Sequence, residues 1–271
     1  MSGSMTPPRE KLAWANHHIA TLDNEIQRFF DGDDYTVGSN FDEETEQHVI
    51  AVRIKNEPPL LRWSHITGDA LHSLRATLDY LIYQLAIRGT GKEPPPNHRD
   101  LQFPIFINEH GDRGYDSKAP KQIAGIPPGA ETLVKGVHPF GDRNHPLFLL
   151  NKLNNADKHR TPHLTVAFLR SVHAYDANSV GVLSAGGGAG YVHPDTGHKV
   201  VHALYDGMEL MRSRFGPPEV NRAADVKVDA PFDVLFDEGT PGVPHEVVAS
   251  TLQTFSECVR DILDAFEPFL S

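Results

Sequence analysis

One stretch, residues 61–88, constrains the fold more than any other part of this sequence. Its apolar residues recur at intervals of three and four, the spacing that places side chains on one face of an α-helix. They are Ile66, Ala70, Leu74, Leu78, Leu81 and Leu85. Glycine and three prolines within residues 89–96 end the pattern. The stretch therefore predicts one long helix with a buried leucine stripe.

Three further segments carry the same helical spacing and are expected to pack with the long helix. The first opens at Thr6 with two prolines, which suit a helix start. The second covers residues 144–160, and the third covers residues 244–269 and can return to the N-terminal helices. One or two short helices, broken by Pro127 and Pro128, are expected within residues 119–139.

Strand-like patterns occur in two places. Residues 35–41 and 48–55 are separated by acidic residues and predict a β-hairpin. After Pro162 the period changes, and strands are expected in a second group of segments. These segments are residues 164–172, 179–184, 199–205 and 224–236. The glycine run at residues 186–190 predicts a loop. It does not indicate a phosphate-binding loop, because no helix start follows it.

The expected fold class is α+β, a helical bundle with an N-terminal β-hairpin and a β-sheet inserted before the C-terminal helix. We expect a single domain over residues 1–271. Its parts are a mainly helical core at 9–162 with the hairpin at 35–55, a β-rich insertion at 163–240 and the returning helix at 244–270.

Composition limits the classes of function. The formal charge of −11 disfavours extensive binding to DNA, which needs clustered cations, although residues 142–160 are locally basic. The one cysteine, Cys258, rules out a disulfide framework within the chain. The N-terminus lacks the apolar core of a signal peptide, and no run of 18 apolar residues occurs, so a cytoplasmic protein without membrane contact is expected.

A polar stripe runs along the long helix. His65, Asp69, His72 and Asp79 fall on one face, with Arg75 at its edge. A solvated face with local ion pairs is one interpretation. The other starts from residue choice, because aspartate is a poor helix former and histidine titrates near neutral pH. The stripe is therefore a candidate site.

A second polar cluster ends the helix at residues 144–160. The cations Lys158, His159 and Arg160 suit the negative end of a helix dipole, whereas Asp157 does not. C-terminal capping, a structural ion-pair network and a reactive site all stay open. Pairing of a buried Asp157 with Arg75, Lys158 or Arg160 would explain the aspartate. The candidate catalytic residues are Asp69, His72, Arg75, Asp79, Asp157, His159 and Arg160.

Three blocks, residues 68–79, 103–106 and 153–160, resemble a widespread set of bacterial proteins to which no activity is attached. The resemblance covers roughly residues 9–165. The chain is more loosely similar to HEPN-type helical bundles, many of which are metal-independent ribonucleases, toxins or nucleotide-binding modules and often dimers. Their sites have an arginine shortly before a histidine. Here Lys152 lies seven residues before His159, so no catalytic residue is carried over.

Three functions follow from these observations. The first is a binding or interaction module in which a buried Asp, His and Arg network fixes how two helices dock. The second is a ribonuclease or nucleotide-processing enzyme with His72 or His159 as acid and base. The third uses His65, Asp69 and His72 to bind a divalent metal, with Asp157 or His159 as a further ligand; otherwise no cofactor is expected. A homodimer, and RNA or a nucleotide at the basic stretch, stay open as partners.

Overall fold

The computed structural model describes residues 3–138, 140–157, 164–168, 173–177, 182–184, 191–192, 199–200, 205–229, 232–237, 239–240, 242–244 and 246–271. The protein is an α+β protein. Its helices are α1 (Thr6–Asp31), α2 (Leu60–Thr90), α3 (Tyr115–Gln122), α4 (Pro128–Gly136), α5 (Pro146–Asp157), α6 (Pro218–Arg222) and α7 (Val248–Phe266), which a 3-10 turn (Glu267–Phe269) follows. Its strands are β1 (Tyr35–Asp42), β2 (Gln47–Ile54), β3 (Leu164–Phe168), β4 (His173–Asp176), β5 (Val182–Ser184), β6 (Tyr191–Val192), β7 (Lys199–Val200), β8 (Glu209–Ser213), β9 (Val226–Asp229) and β10 (Phe232–Phe236).

Helix α2 is the centre of the core. It packs against α1, α5 and α7, and α1 also packs against α7. Leu71, Leu74, Leu78 and Leu81 are fully buried on it, where apolar burial contributes about 25 cal/mol per Å². Helix α2 ends where Gly91 adopts a left-handed conformation at φ 67°, which glycine tolerates without a steric penalty.

The described strands form short antiparallel sheets. Strands β1 and β2 pair from Tyr35 opposite Ile54 to Asp42 opposite Gln47, and β8 adds to the free edge of β2. Strand β10 pairs with β3. Strands β5, β4 and β9 form another sheet, and β6 pairs with β7. The β-rich half of the sequence therefore extends the N-terminal strand pair as well as forming sheets of its own.

The structure differs from the strand predictions in several places, and strands β4 and β6 are among those that were not predicted. The predicted strand at residues 224–236 is two strands, β9 and β10, which belong to different sheets. The sequence has Pro231 between them, and proline lacks the amide hydrogen that a sheet ladder needs. Strand β8 was not predicted, because its charged and polar residues hide the alternation that marks a strand. In the part of the chain that the structure describes, no helix has the length and apolar character to cross a membrane.

Residues 97–126 cross the side of α2 as a segment without regular secondary structure and then as α3. Phe103 of this segment is completely buried. Helix α3 begins at Tyr115, earlier than the sequence predicts, and continues through Pro120. A close backbone approach fixes the far end of this segment, because a Cβ atom on Gly89 would lie 2.1 Å from the carbonyl oxygen of Gly125. The segment thus forms one wall of the site described next.

Candidate ligand-binding cleft

A cleft of about 250 Å³ opens between α2, α5 and the segment that crosses α2. Side chains able to form hydrogen bonds provide much of its lining, and four apolar residues provide the rest. The polar residues are His72, Arg75 and Asp79 from α2, Gln102 and Gln122 from the crossing segment and α3, and Asn151, Asn154 and Asn155 from α5. The apolar ones are Ala76, Phe103, Ile105 and Phe106. Two distant parts of the sequence therefore meet at this cleft.

Arg75 holds one wall of the cleft in place. Its Nη2 atom donates a hydrogen bond to the carbonyl oxygen of Phe103 at 2.8 Å, and its Nη1 atom lies 2.8 Å from Asp79 Oδ1. The same Asp79 oxygen accepts a hydrogen bond from the Phe103 amide at 2.9 Å. Arg75 is 8% exposed, and burial lowers its pKa while Asp79 opposes that shift. One ion pair on α2 thus holds both backbone groups of Phe103.

One buried polar atom of the lining residues, Gln122 Oε1, lacks a hydrogen-bond partner among the described residues. Arg75 Nη1 is also buried, and its partner is the Asp79 carboxylate. An unsatisfied buried polar atom costs about 1–3 kcal/mol. Helix α3 therefore carries this cost at the wall of the cleft.

Asp157 lies against the backbone of α2 beside the cleft. A Cβ atom on Gly68 would lie 2.7 Å from Asp157 Oδ1, so the absence of a side chain at Gly68 allows this approach. Burial and the negative charge of Asp69 raise the pKa of Asp157, while His72 and His65 oppose the shift. Asp157 and the polar stripe are therefore electrostatic neighbours.

The structure places most of the candidate residues predicted from sequence in one region. His72, Arg75 and Asp79 line the cleft, and Asp157 lies beside it near Asp69. Pairing of Arg75 with Asp157 was wrong. Arg75 pairs with Asp79 because the two are one helical turn apart and face the same crossing segment. Lys158, His159 and Arg160 lie outside the described residues.

The metal hypothesis finds no ligand geometry in the described part of the stripe. There, His65, Asp69 and His72 are not among the groups that bring three potential ligand atoms within 4.8 Å of one another. Glu109, His110 and Asp116 do so among the described residues. Lys135 already neutralises the two carboxylates of that group, with its Nζ atom 2.9 Å from Glu109 and 3.0 Å from Asp116.

Sequence analysis missed several of the lining residues. Gln102 and Gln122 lie on segments without a motif, and nothing in their spacing points to α2. The sequence contained a weak indication of Asn151 and Asn155. Asparagine is a poor helix former, yet three asparagines of α5 line the cleft. His18 of α1 was also missed. It lines a groove with His65 and Asp69 on another side of α2, and burial lowers its pKa.

No protein-family model, curated protein or solved structure matches the chain. The fold class is α+β, and the site is a polar cleft between helices.

Replacement of Asp157 by asparagine is expected to stabilise the protein at neutral pH, because the amide removes the cost of a half-buried charge beside Asp69. A carboxyl group whose pKa is raised on folding stabilises most when protonated. The advantage of Asp157→Asn should therefore shrink as pH falls through the pKa of folded Asp157. Urea unfolding at neutral and acid pH measures this.

The matched control is Asp112→Asn, at an exposed position. It is expected to change the free energy of unfolding by less than about 0.5 kcal/mol. An Asp157→Asn protein that is less stable than the wild type at neutral pH would show that the carboxylate itself is stabilising.

Proposed function

We propose that this protein is a binding module that holds a small polar molecule in the cleft between α2 and α5. The observation that carries the proposal is the cleft itself, where eight side chains able to form hydrogen bonds and four apolar side chains surround a volume of about 250 Å³. Binding sites are concave and combine apolar walls with a few fixed polar groups.

The rigidity of the wall supports the same proposal. Arg75 and Asp79 hold both backbone groups of Phe103, so this wall keeps its shape without a ligand. Binding to a formed site avoids the entropy cost of ordering the wall when the ligand arrives. Such a site suits a protein that recognises one molecule.

The test fills the cleft without removing any hydrogen-bonding group. Ala76 is half-buried and lines the cleft, so leucine in its place would occupy ligand space. The probes are free amino acids, nucleobases, carboxamides, organic acids, monosaccharides and inorganic phosphate, each at millimolar concentration. We expect at least one probe to raise the thermal unfolding midpoint of the wild type by a few degrees, since a bound ligand stabilises the native state. The same probe should not shift Ala76→Leu.

Ala13→Leu is the matched control, because Ala13 is an exposed residue of α1. This variant should respond to the probe as the wild type does. If no probe shifts the wild type, or if Ala76→Leu responds fully, the cleft is not a ligand site.

The second candidate is a HEPN-like ribonuclease or nucleotide-processing enzyme. One observation favours it: His72 lines the cleft with Asp157 as an electrostatic neighbour, and a carboxylate beside a histidine fixes the imidazole for acid–base work. A single-stranded RNA oligonucleotide incubated with the protein separates the two functions. Cleavage that His72→Ala abolishes would make the cleft an active site.

A further inference from the structure

His138 lies buried two residues after the end of α4, inside a cage of three aromatic rings, and is 9% exposed. Its ring stacks on Phe140 with the centroids 5.0 Å apart. The Tyr115 ring stands at 73° to it at 4.6 Å, and the Phe103 ring lies parallel to it at 6.3 Å. One histidine therefore joins the end of α4 to α3 and to the crossing segment.

The surroundings of the His138 ring favour its neutral form. Nδ1 lies 3.0 Å from the carbonyl oxygen of Val134, which can only accept, so Nδ1 carries the proton and donates. Nε2 is buried and has no hydrogen-bond partner among the described residues. Protonation would place an N–H and a positive charge there without an acceptor, which is costly. Attraction of the cation to the ring faces would offset only part of that cost.

The groups around the cage do not supply a counter-charge to His138. Burial lowers its pKa, the Val134 bond opposes that shift, and no carboxylate of the described residues is among the causes. Burial raises the pKa of Tyr115 to about 12, so the phenol in the cage stays neutral in acid. Charged groups near the caging residues come from four elements: Asp116 of α3, Glu131 and Lys135 of α4, Glu109 of the crossing segment, and Arg75 and Asp79 of α2.

Phe103 connects the cage to the cleft. Its side chain is completely buried and stacks on His138, while Arg75 and Asp79 hold its backbone at the cleft wall. Separation of the crossing segment from α4 would return the His138 ring to water, where protonation carries no such cost. Acid should therefore favour the separated state.

We propose that His138 is an acid-sensitive clasp, which holds the crossing segment against α2 while its ring is neutral and releases this wall of the cleft when the ring is protonated. The clasp goes beyond the proposed function, because it needs no ligand.

The direction of the pKa shift gives the pH range of release. A histidine whose pKa is lowered on folding contributes its full stabilisation above the ordinary value of 6.5. That contribution is lost as the pH falls from 6.5 towards the pKa of folded His138. The ratio of open to closed protein should then rise about five- to twentyfold between about pH 7 and pH 5.

Hydrogen exchange of the Phe103 amide measures the release. This amide is protected by its hydrogen bond to Asp79, at 2.9 Å. After correction for the intrinsic effect of pH on exchange, its rate should rise by the same factor over that range. Amides in the middle of α7 should not follow, because α7 packs on α1, α2 and α5.

Two variants without a titrating ring show whether His138 is the cause. His138→Phe fills the cage, and His138→Asn keeps a donor for the Val134 carbonyl. In both, exchange at Phe103 should change by less than about twofold over the same pH range. His98→Asn, at an exposed position of the crossing segment, is the matched control and should respond to acid as the wild type does.

An acid response of the wild-type size in both His138 variants would overturn the clasp. If circular dichroism shows that neither variant folds, NMR of the His138 ring in the wild type decides. The ring should stay neutral until exchange at Phe103 rises. Protonation of the ring at pH 6.5 or above, with the Phe103 amide still protected, would overturn the clasp as well. None of these measurements involves a ligand, so they leave the test of the proposed function separate.

Discussion

Replacement of Arg75 by methionine is expected to lower the free energy of unfolding by about 2–3 kcal/mol. Methionine keeps much of the apolar volume but removes the guanidinium that contacts the Asp79 carboxylate and donates to the Phe103 carbonyl. Removal of one partner from a buried ion pair costs about 3–5 kcal/mol. We expect less here, because the Asp79 side chain is 34% exposed and water screens part of its charge. Urea unfolding followed by circular dichroism measures the loss.

The matched control is Arg62→Met on the same helix. Arg62 forms a two-point ion pair with Glu25 at 2.6 and 2.8 Å, but its side chain is 65% exposed. An exposed pair contributes about 0–1 kcal/mol, so this variant should lose little stability. The double variant, Arg75→Met with Asp79→Leu, should recover part of the loss, since both charges of the pair are then removed together. Equal losses for Arg62→Met and Arg75→Met would contradict the role of the buried pair.

Replacement of Gly89 by alanine is the second large effect, with an expected loss of about 2–3 kcal/mol. The new Cβ atom would lie 2.1 Å from the carbonyl oxygen of Gly125, which is backbone and cannot rotate away. Gly125 itself has a φ of 86°, a conformation that side chains rarely adopt, so this turn has few alternatives. The steric cost should exceed the gain of about 1 kcal/mol that alanine brings to a helix interior. Thermal and urea unfolding both report the difference.

Gly136→Ala provides the control for Gly89→Ala. Gly136 ends α4, and a Cβ atom built there meets no atom within 4 Å. This variant should be as stable as the wild type or up to about 1 kcal/mol more stable. Since Gln122 lies three residues before Gly125, Gly89→Ala should also weaken binding in the cleft. A Gly89→Ala protein as stable as Gly136→Ala would show that the two segments can separate freely.

The helical half of the fold could be predicted from the sequence. The spacing on residues 61–88 predicts helix α2, and the leucines of that stripe are buried. Because one face of a helix is buried, its apolar residues recur with a period of 3.6 residues, and a long helix contains many such repeats. The β-rich part was predicted less well, because a short strand contains few alternations of polar and apolar residues. The charged residues of β8 gave no sign that it would join β2.

The candidate site could be predicted in part. Asp69, His72, Arg75 and Asp79 were identified because histidine and aspartate are unusual choices for a solvated helix face. The burial of these residues and their contacts within the site were not predictable. The spacing placed Arg75 at the edge of an exposed stripe, yet it is buried beneath the crossing segment.

The sequence alone determined which residues lie on the same face of each helix, because helical geometry follows from spacing within about two turns of chain. The tertiary structure decided which faces meet. It brought Gln122 of α3 and the asparagines of α5 to the stripe on α2, and among the described residues it left the Gln122 amide oxygen without a hydrogen-bond partner. Contacts between distant segments depend on the packing of the whole core, and no local period in the sequence records them.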